Sequence, residues 1–132
     1  MLEKEKEYCM IYKNQKQLNK ALKKWKKILR LQEWDIKAQI GRAAYFNLQN
    51  AQGENRITLV SKQSLIMLLD PLDYPDYSDF PQDMEQTLVH ELLHCTMAEL
   101  EPPDENSLEY TIWHSTIDTL AKAFVAADRR KK

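Results

Sequence analysis

The 132-residue chain reads as a single α+β domain. Three observations predict that class. Apolar residues recur at helical spacing near both ends of the chain, alternating or β-branched runs fill its middle, and a proline-rich stretch separates those runs from the last two helices. A chain of this length is near the usual domain size and can enclose one core. The balance of 43% hydrophobic and 30% charged residues suits a soluble globular fold. There is no internal repeat and no low-complexity tract.

Taken in order, residues 1–12 show a poor pattern and form at most a short helix or an arm. Residues 14–30 predict an amphipathic helix that buries Leu18, Ala21, Leu22, Trp25, Ile28 and Leu29. Trp34–Ile40 alternates apolar and polar residues as a half-buried strand does, and Gly41 ends it. Ala43–Leu48 is a candidate second strand, Asn50–Asn55 a turn, and Arg56–Val60 a third strand rich in β-branched residues. Ser64–Leu69 is an apolar run that fits either a strand or a short helix. Pro71, Pro75 and Pro81 make residues 70–81 a loop. Gln82–Leu100 holds no Pro or Gly and predicts a helix. Ser78 or Asp79 is its cap, Pro81 opens it and Pro102-Pro103 stops it. A last helix starts near Asp104–Ser107, runs to about Ala127 and leaves a basic tail over residues 128–132.

The most specific feature is His90-Glu91-Leu92-Leu93-His94, inside the Gln82–Leu100 helix. Histidines at i and i+4 lie on one helical face and can ligate one Zn²⁺. Glu91 then sits beside the ion, where it can take a proton from a metal-activated water. A third protein ligand is needed, and Glu109 is the leading candidate. With Glu109 at zero on the wheel of the last helix, Ile112 falls at about 300°, Trp113 at about 40°, Ile117 at about 80°, Leu120 at about 20° and Phe124 at about 60°. The carboxylate therefore shares the apolar stripe. A carboxylate there requires a partner. His114, at about 140° on the flank, is the alternative, and Asp118 at about 180° faces solvent.

HELLH on a helix, an acidic loop and a second helix carrying Glu together resemble the gluzincin branch of the zincin metallopeptidases. The small size, the segment Leu31–Ile36 and the strand-like run before the motif resemble short zincin-like proteins of phages and prophages over about residues 25–125. The resemblance implies His90, His94 and Glu109 as zinc ligands, Glu91 as catalytic base, and a peptide or protein substrate. A metzincin would continue the motif with a Gly and a third His, whereas Cys95-Thr96-Met97-Ala98-Glu99-Leu100 follows here. Tyr74, Tyr77, Tyr110 and His114 are candidate donors to a tetrahedral oxyanion. The edge of the sheet before the motif suits an extended peptide, and loop 71–81 is a candidate wall of the cleft.

A net charge of −1 gives the whole chain no electrostatic case for nucleic acid, but the charge is uneven. Lys13, Lys16, Lys20, Lys23, Lys24, Lys26, Lys27 and Arg30 crowd residues 13–30, while residues 70–109 are acidic. The bland reading of the basic run is a solvated helix face; the sharper one is a patch for nucleic acid or an acidic partner. Cys9 and Cys95 match no metal or redox spacing, so two reduced thiols are expected. The charged opening is unlike a signal peptide, and no apolar stretch is long enough to span a membrane, which together predict the cytoplasm of the host cell. Three function classes follow: a zinc peptidase, a zinc-binding protein without proteolysis that serves as a structural or interaction component, and a nucleic-acid-binding protein that uses helix 13–30.

Overall fold

The computed structural model describes residues 9–76 and 78–131, so most of the candidate arm, together with Tyr77 and Lys132, lies outside the described residues. The described residues form three α-helices and a three-stranded mixed sheet. Helix α1 (Gln15–Ile28) leads into strand β1 (Asp35–Gly41), followed by β2 (Gly53–Thr58) and β3 (Gln63–Leu69). Helices α2 (Met84–Thr96) and α3 (Leu108–Arg130) complete the chain. The strand order is β1-β3-β2, with β1 parallel and β2 antiparallel to β3.

β3 is therefore the central strand, and Ile66, Met67, Leu68 and Leu69 are buried on both of its faces. That two-sided burial explains a continuous apolar run with no alternation. Its neighbour β1 alternates cleanly, with Ile36 and Ala38 buried between exposed Asp35 and Lys37. Leu18, Leu22 and Trp25 of α1, Leu88, Val89 and Leu92 of α2, and Trp113, Ile117, Ala121 and Val125 of α3 join these strands in one core.

Four expected elements differ. Residues 43–48 are not a strand. A single 3₁₀ turn spans Ala43–Tyr45, and the Asn47 and Leu48 N–H groups donate to Glu54 Oε1 at 2.8 Å each instead of to a sheet. The Glu54 carboxylate thus satisfies backbone donors that a ladder would otherwise take. β2 begins at Gly53, inside the expected turn, and ends at Thr58, where a 3₁₀ turn over Leu59–Ser61 leads into β3. The motif helix starts at Met84: Asp83 caps it by accepting the Gln86 N–H at 3.2 Å, so neither Ser78, Asp79 nor Pro81 opens it. At the other end of the chain α3 continues to Arg130, so most of the expected basic tail is helical.

One polar cluster ties the ends of this fold together. Glu85, only 5% exposed, accepts the Trp25 indole N–H at 2.9 Å and pairs with Arg129 at 3.1 Å. Arg129 also pairs with the cap residue Asp83 at 2.9 Å, and Lys24 pairs with Asp128 at 2.6 Å. Arg129→Ala leaves buried Glu85 with the Trp25 N–H and with Lys24 at 3.9 Å but without its short ion pair, which costs about 2 kcal/mol after allowance for the partly exposed guanidinium. The melting temperature should fall by roughly 10 °C. A thermal unfolding curve within about 2 °C of the parent, a margin of about 0.5 kcal/mol, would refute the clamp.

Candidate metal centre

The motif helix α2 buries Leu88, Val89, Leu92, Leu93 and Cys95 and turns His90 and His94 toward α3. The next ring to join them is His114. Ligand atoms of His90, His94 and His114 all lie within 4.8 Å of one another. The Nε2 atoms of His90 and His94 are 3.2 Å apart. Two nitrogens bound to one tetrahedral zinc at roughly 2.0–2.1 Å would stand about 3.3 Å apart, so the pair fits a shared ion. The three histidines are thus close enough to bind a metal ion, and His90, His94 and His114 are the residues that would hold it.

Glu109 is not in this group. It is exposed in the first turn of α3. The wheel reading missed in angle, since Ile112 and Phe124 of its apolar stripe are exposed while Ala121 and Val125 are buried, and it missed in height as well. The buried row Trp113, Ile117, Ala121 and Val125, extended back one turn, does reach Glu109. However, the Trp113 indole N–H already donates to the Met97 carbonyl, just past the end of α2, at 3.2 Å. One turn earlier, Glu109 has overrun the helix it was expected to face. His114 belongs to the adjacent row, Tyr110, His114, Asp118 and Lys122, and all four line the cleft. What the wheel labelled as flank and solvent side is the cleft wall.

Sequence reasoning missed Asp118. Its Oδ1 lies 3.2 Å from His90 Nδ1, which leaves Nε2 of that ring facing His94. A carboxylate on the outer nitrogen fixes the tautomer and orientation of a ligand imidazole. Burial pushes the Asp118 carboxyl up, but Lys122 at 2.8 Å and His90 outweigh it and hold the group below its ordinary range. The signal was available as His114-x-x-x-Asp118, one helical turn apart. Asp118→Asn should weaken metal affinity about 10–100-fold. Competition against a chromogenic chelator measures this, and unchanged affinity would remove Asp118 from the site.

Burial dominates the electrostatics. It pushes His94 down to about 4, helped by His90 and His114, and it lowers His90 too, so both rings are neutral at pH 7, the form that can ligate a metal. Glu91 is buried and pushed up to about 8 by desolvation and by Glu54. A cation beside it would favour the carboxylate again. Glu91 is held from two sides. Asn55 Nδ2 donates to its carbonyl oxygen at 2.7 Å, and Ser64 Oγ donates to Asn55 Oδ1 at 2.7 Å. A Cβ built on Gly53 would stand 2.5 Å from Thr87 Cγ2 and 3.0 Å from Glu91 Oε2, so only glycine lets β2 approach the helix this closely.

The cleft has a volume of about 840 Å³ and runs between β2, α2 and α3. Tyr110, packed near the rings of Trp113 and His114, lines it. Tyr74 does not: its hydroxyl donates to the Phe80 carbonyl, and it lines a second, adjoining cavity of about 600 Å³ with Asp73 and Pro75. The described part of loop 71–81 therefore walls that second cavity. Tyr77 lies outside the described residues. Cys95 is buried beside Asn55 and is not in the histidine group.

Comparison with protein-family models, with curated proteins and with solved structures finds no match. Among the described residues no helix is long and apolar enough to cross a membrane.

Proposed function

We propose that this protein is a zinc-dependent metallopeptidase in which His90, His94 and His114 hold the ion and Glu91 is the general base. The observation that carries the reading is convergence: three imidazoles, a buried glutamate one residue after the first of them, and β2, an edge strand among the described residues, all border one cleft. Three imidazole nitrogen donors suit zinc and leave it an open position. With His114 in the third place, the Glu-ligand pattern of the gluzincins does not describe the cluster, and the proposal rests on HELLH and the cleft. When bound, zinc supplies Lewis acidity that acidifies a water and polarises a carbonyl.

The remaining steps belong to the chain's own groups. Glu91 takes the proton of the attacking water and returns it to the leaving nitrogen. Tyr110 offers a hydroxyl to the developing oxyanion from the α3 wall. An extended peptide can add to β2 through main-chain hydrogen bonds, with Leu48, Ile57 and Leu59 as apolar surface beside it. The test is a preparation made without added metal. It should contain about one zinc per chain and hydrolyse an unfolded protein. A chelator should stop that turnover and zinc should restore it. Stoichiometric zinc without turnover would leave a metal-binding protein that is not a peptidase. Absence of metal would refute both statements.

A further inference from the structure

We propose that the exposed face of α1 is a binding surface for the phosphate backbone of nucleic acid, separate from the histidine cleft. From residue 8 to residue 32 the chain has no acidic residue. On the wheel of α1, Lys16, Lys20, Lys23 and Lys27 fall within about 60° of arc and run about 16 Å along the axis. The core residues Leu18, Leu22 and Trp25 occupy the opposite side. The four lysines are therefore one straight stripe pointing away from the protein, and Lys13 and Arg30, both exposed, extend it at its ends.

A solvated helix face ordinarily mixes signs, because like charges at i and i+4 repel. Here Lys16 and Lys20, and Lys23 and Lys27, stand at that spacing, and the first turn has no acidic residue to offset the helix dipole. Among the described residues no ion pair involves Lys16, Lys20, Lys23 or Lys27. The Lys24–Asp128 contact at 2.6 Å holds the end of α3 beside the flank of α1, and the acidic residues concentrate in 70–109.

A linear array of cations on a rigid helix matches a polymer with regularly spaced negative charges. An anionic membrane fits less well, because the apolar side of α1 is already buried in the core and offers nothing to insert.

The test titrates the full chain against a fluorescent mixed-sequence DNA duplex of about 20 base pairs while salt is varied. Neutralising about four phosphates gives a slope of log affinity against log salt of about −3 to −4. Lys20→Glu with Lys23→Glu should weaken binding at least about tenfold and cut the slope by about two. Lys37→Glu with Lys62→Glu makes the same change in net charge away from the stripe and should leave the slope intact. Far-UV circular dichroism checks folding, and Lys20→Gln with Lys23→Gln gives the same slope test without reversed charge. Three results would overturn the surface: no duplex binding at about 50 mM salt, equal loss in both charge-reversal pairs, or capture by phosphatidylserine vesicles with no affinity for the duplex.

Discussion

His114→Ala lowers zinc affinity by about two to three orders of magnitude, while Glu109→Ala leaves it unchanged. The magnitude follows from dividing the roughly 10–16 kcal/mol of a structural zinc site over its ligands, about 3–4 kcal/mol each. Each factor of ten in affinity takes about 1.4 kcal/mol, so the loss of one ligand amounts to two to three powers of ten. The contrast follows from the geometry. His114 offers a ring nitrogen within 4.8 Å of ligand atoms on His90 and His94, and Glu109 lies in the exposed first turn of α3, beyond the end of α2. His90→Ala and His94→Ala should match His114→Ala, because each removes one of the three donors. Equilibrium competition with a chelator of known affinity reads all four variants. Thermal unfolding gives an independent measure, since a ligand that binds only the folded state raises its stability. Zinc retained by His114→Ala and lost by Glu109→Ala would reverse the assignment.

The HELLH half of the site was legible because one short helix carries it, and i,i+4 geometry is local. The third candidate ligand was not, because it depends both on which face of α3 turns inward, where Ala121 and Val125 are buried and Ile112 and Phe124 are exposed, and on how far α3 slides along α2. A helical wheel reports angle and is blind to height. Glu109 and His114 differ by about 7.5 Å along the axis, which decides which of them stands level with His94. The missed role of Asp118 has the same origin, since it is His114 plus one turn. The strands show a parallel limit. β1 alternates, and its expected span lies one residue early at both ends, whereas β3, buried on both faces, is an apolar run that periodicity cannot type. Residues 43–48 misled because Tyr45 and Phe46 favour strands in general, yet nothing in the local sequence shows that Glu54 will take the backbone donors of Asn47 and Leu48. Side-chain capture of that kind has no periodicity and is invisible before the fold is known.

Glu91→Gln keeps its zinc and its fold and loses hydrolysis by a factor on the order of 10²–10⁴, the usual contribution of a positioned general base. Gln has nearly the same shape, so the backbone bond from Asn55 and the close approach of Gly53 survive the change. What it lacks is basicity. The amide cannot accept a proton from water or deliver one to the leaving nitrogen. Burial favours this substitution structurally, because desolvation already pushes the metal-free Glu91 carboxyl up to about 8, and a neutral amide carries no such penalty. The metal-free variant should therefore be at least as stable as the parent at pH 9, above that value, where the native carboxyl is ionised and destabilising. The sign is set by linkage: a folded-state pKa above the ordinary glutamate value of 4.5 means the unfolded chain gives up its proton first, and stability falls as pH rises through that interval. Two measurements on one preparation decide the matter, turnover of an unfolded protein by the zinc-loaded form and unfolding of the metal-free form at pH 6 and pH 9. Full turnover in Glu91→Gln would end the general-base assignment. Loss of zinc would make Glu91 a ligand.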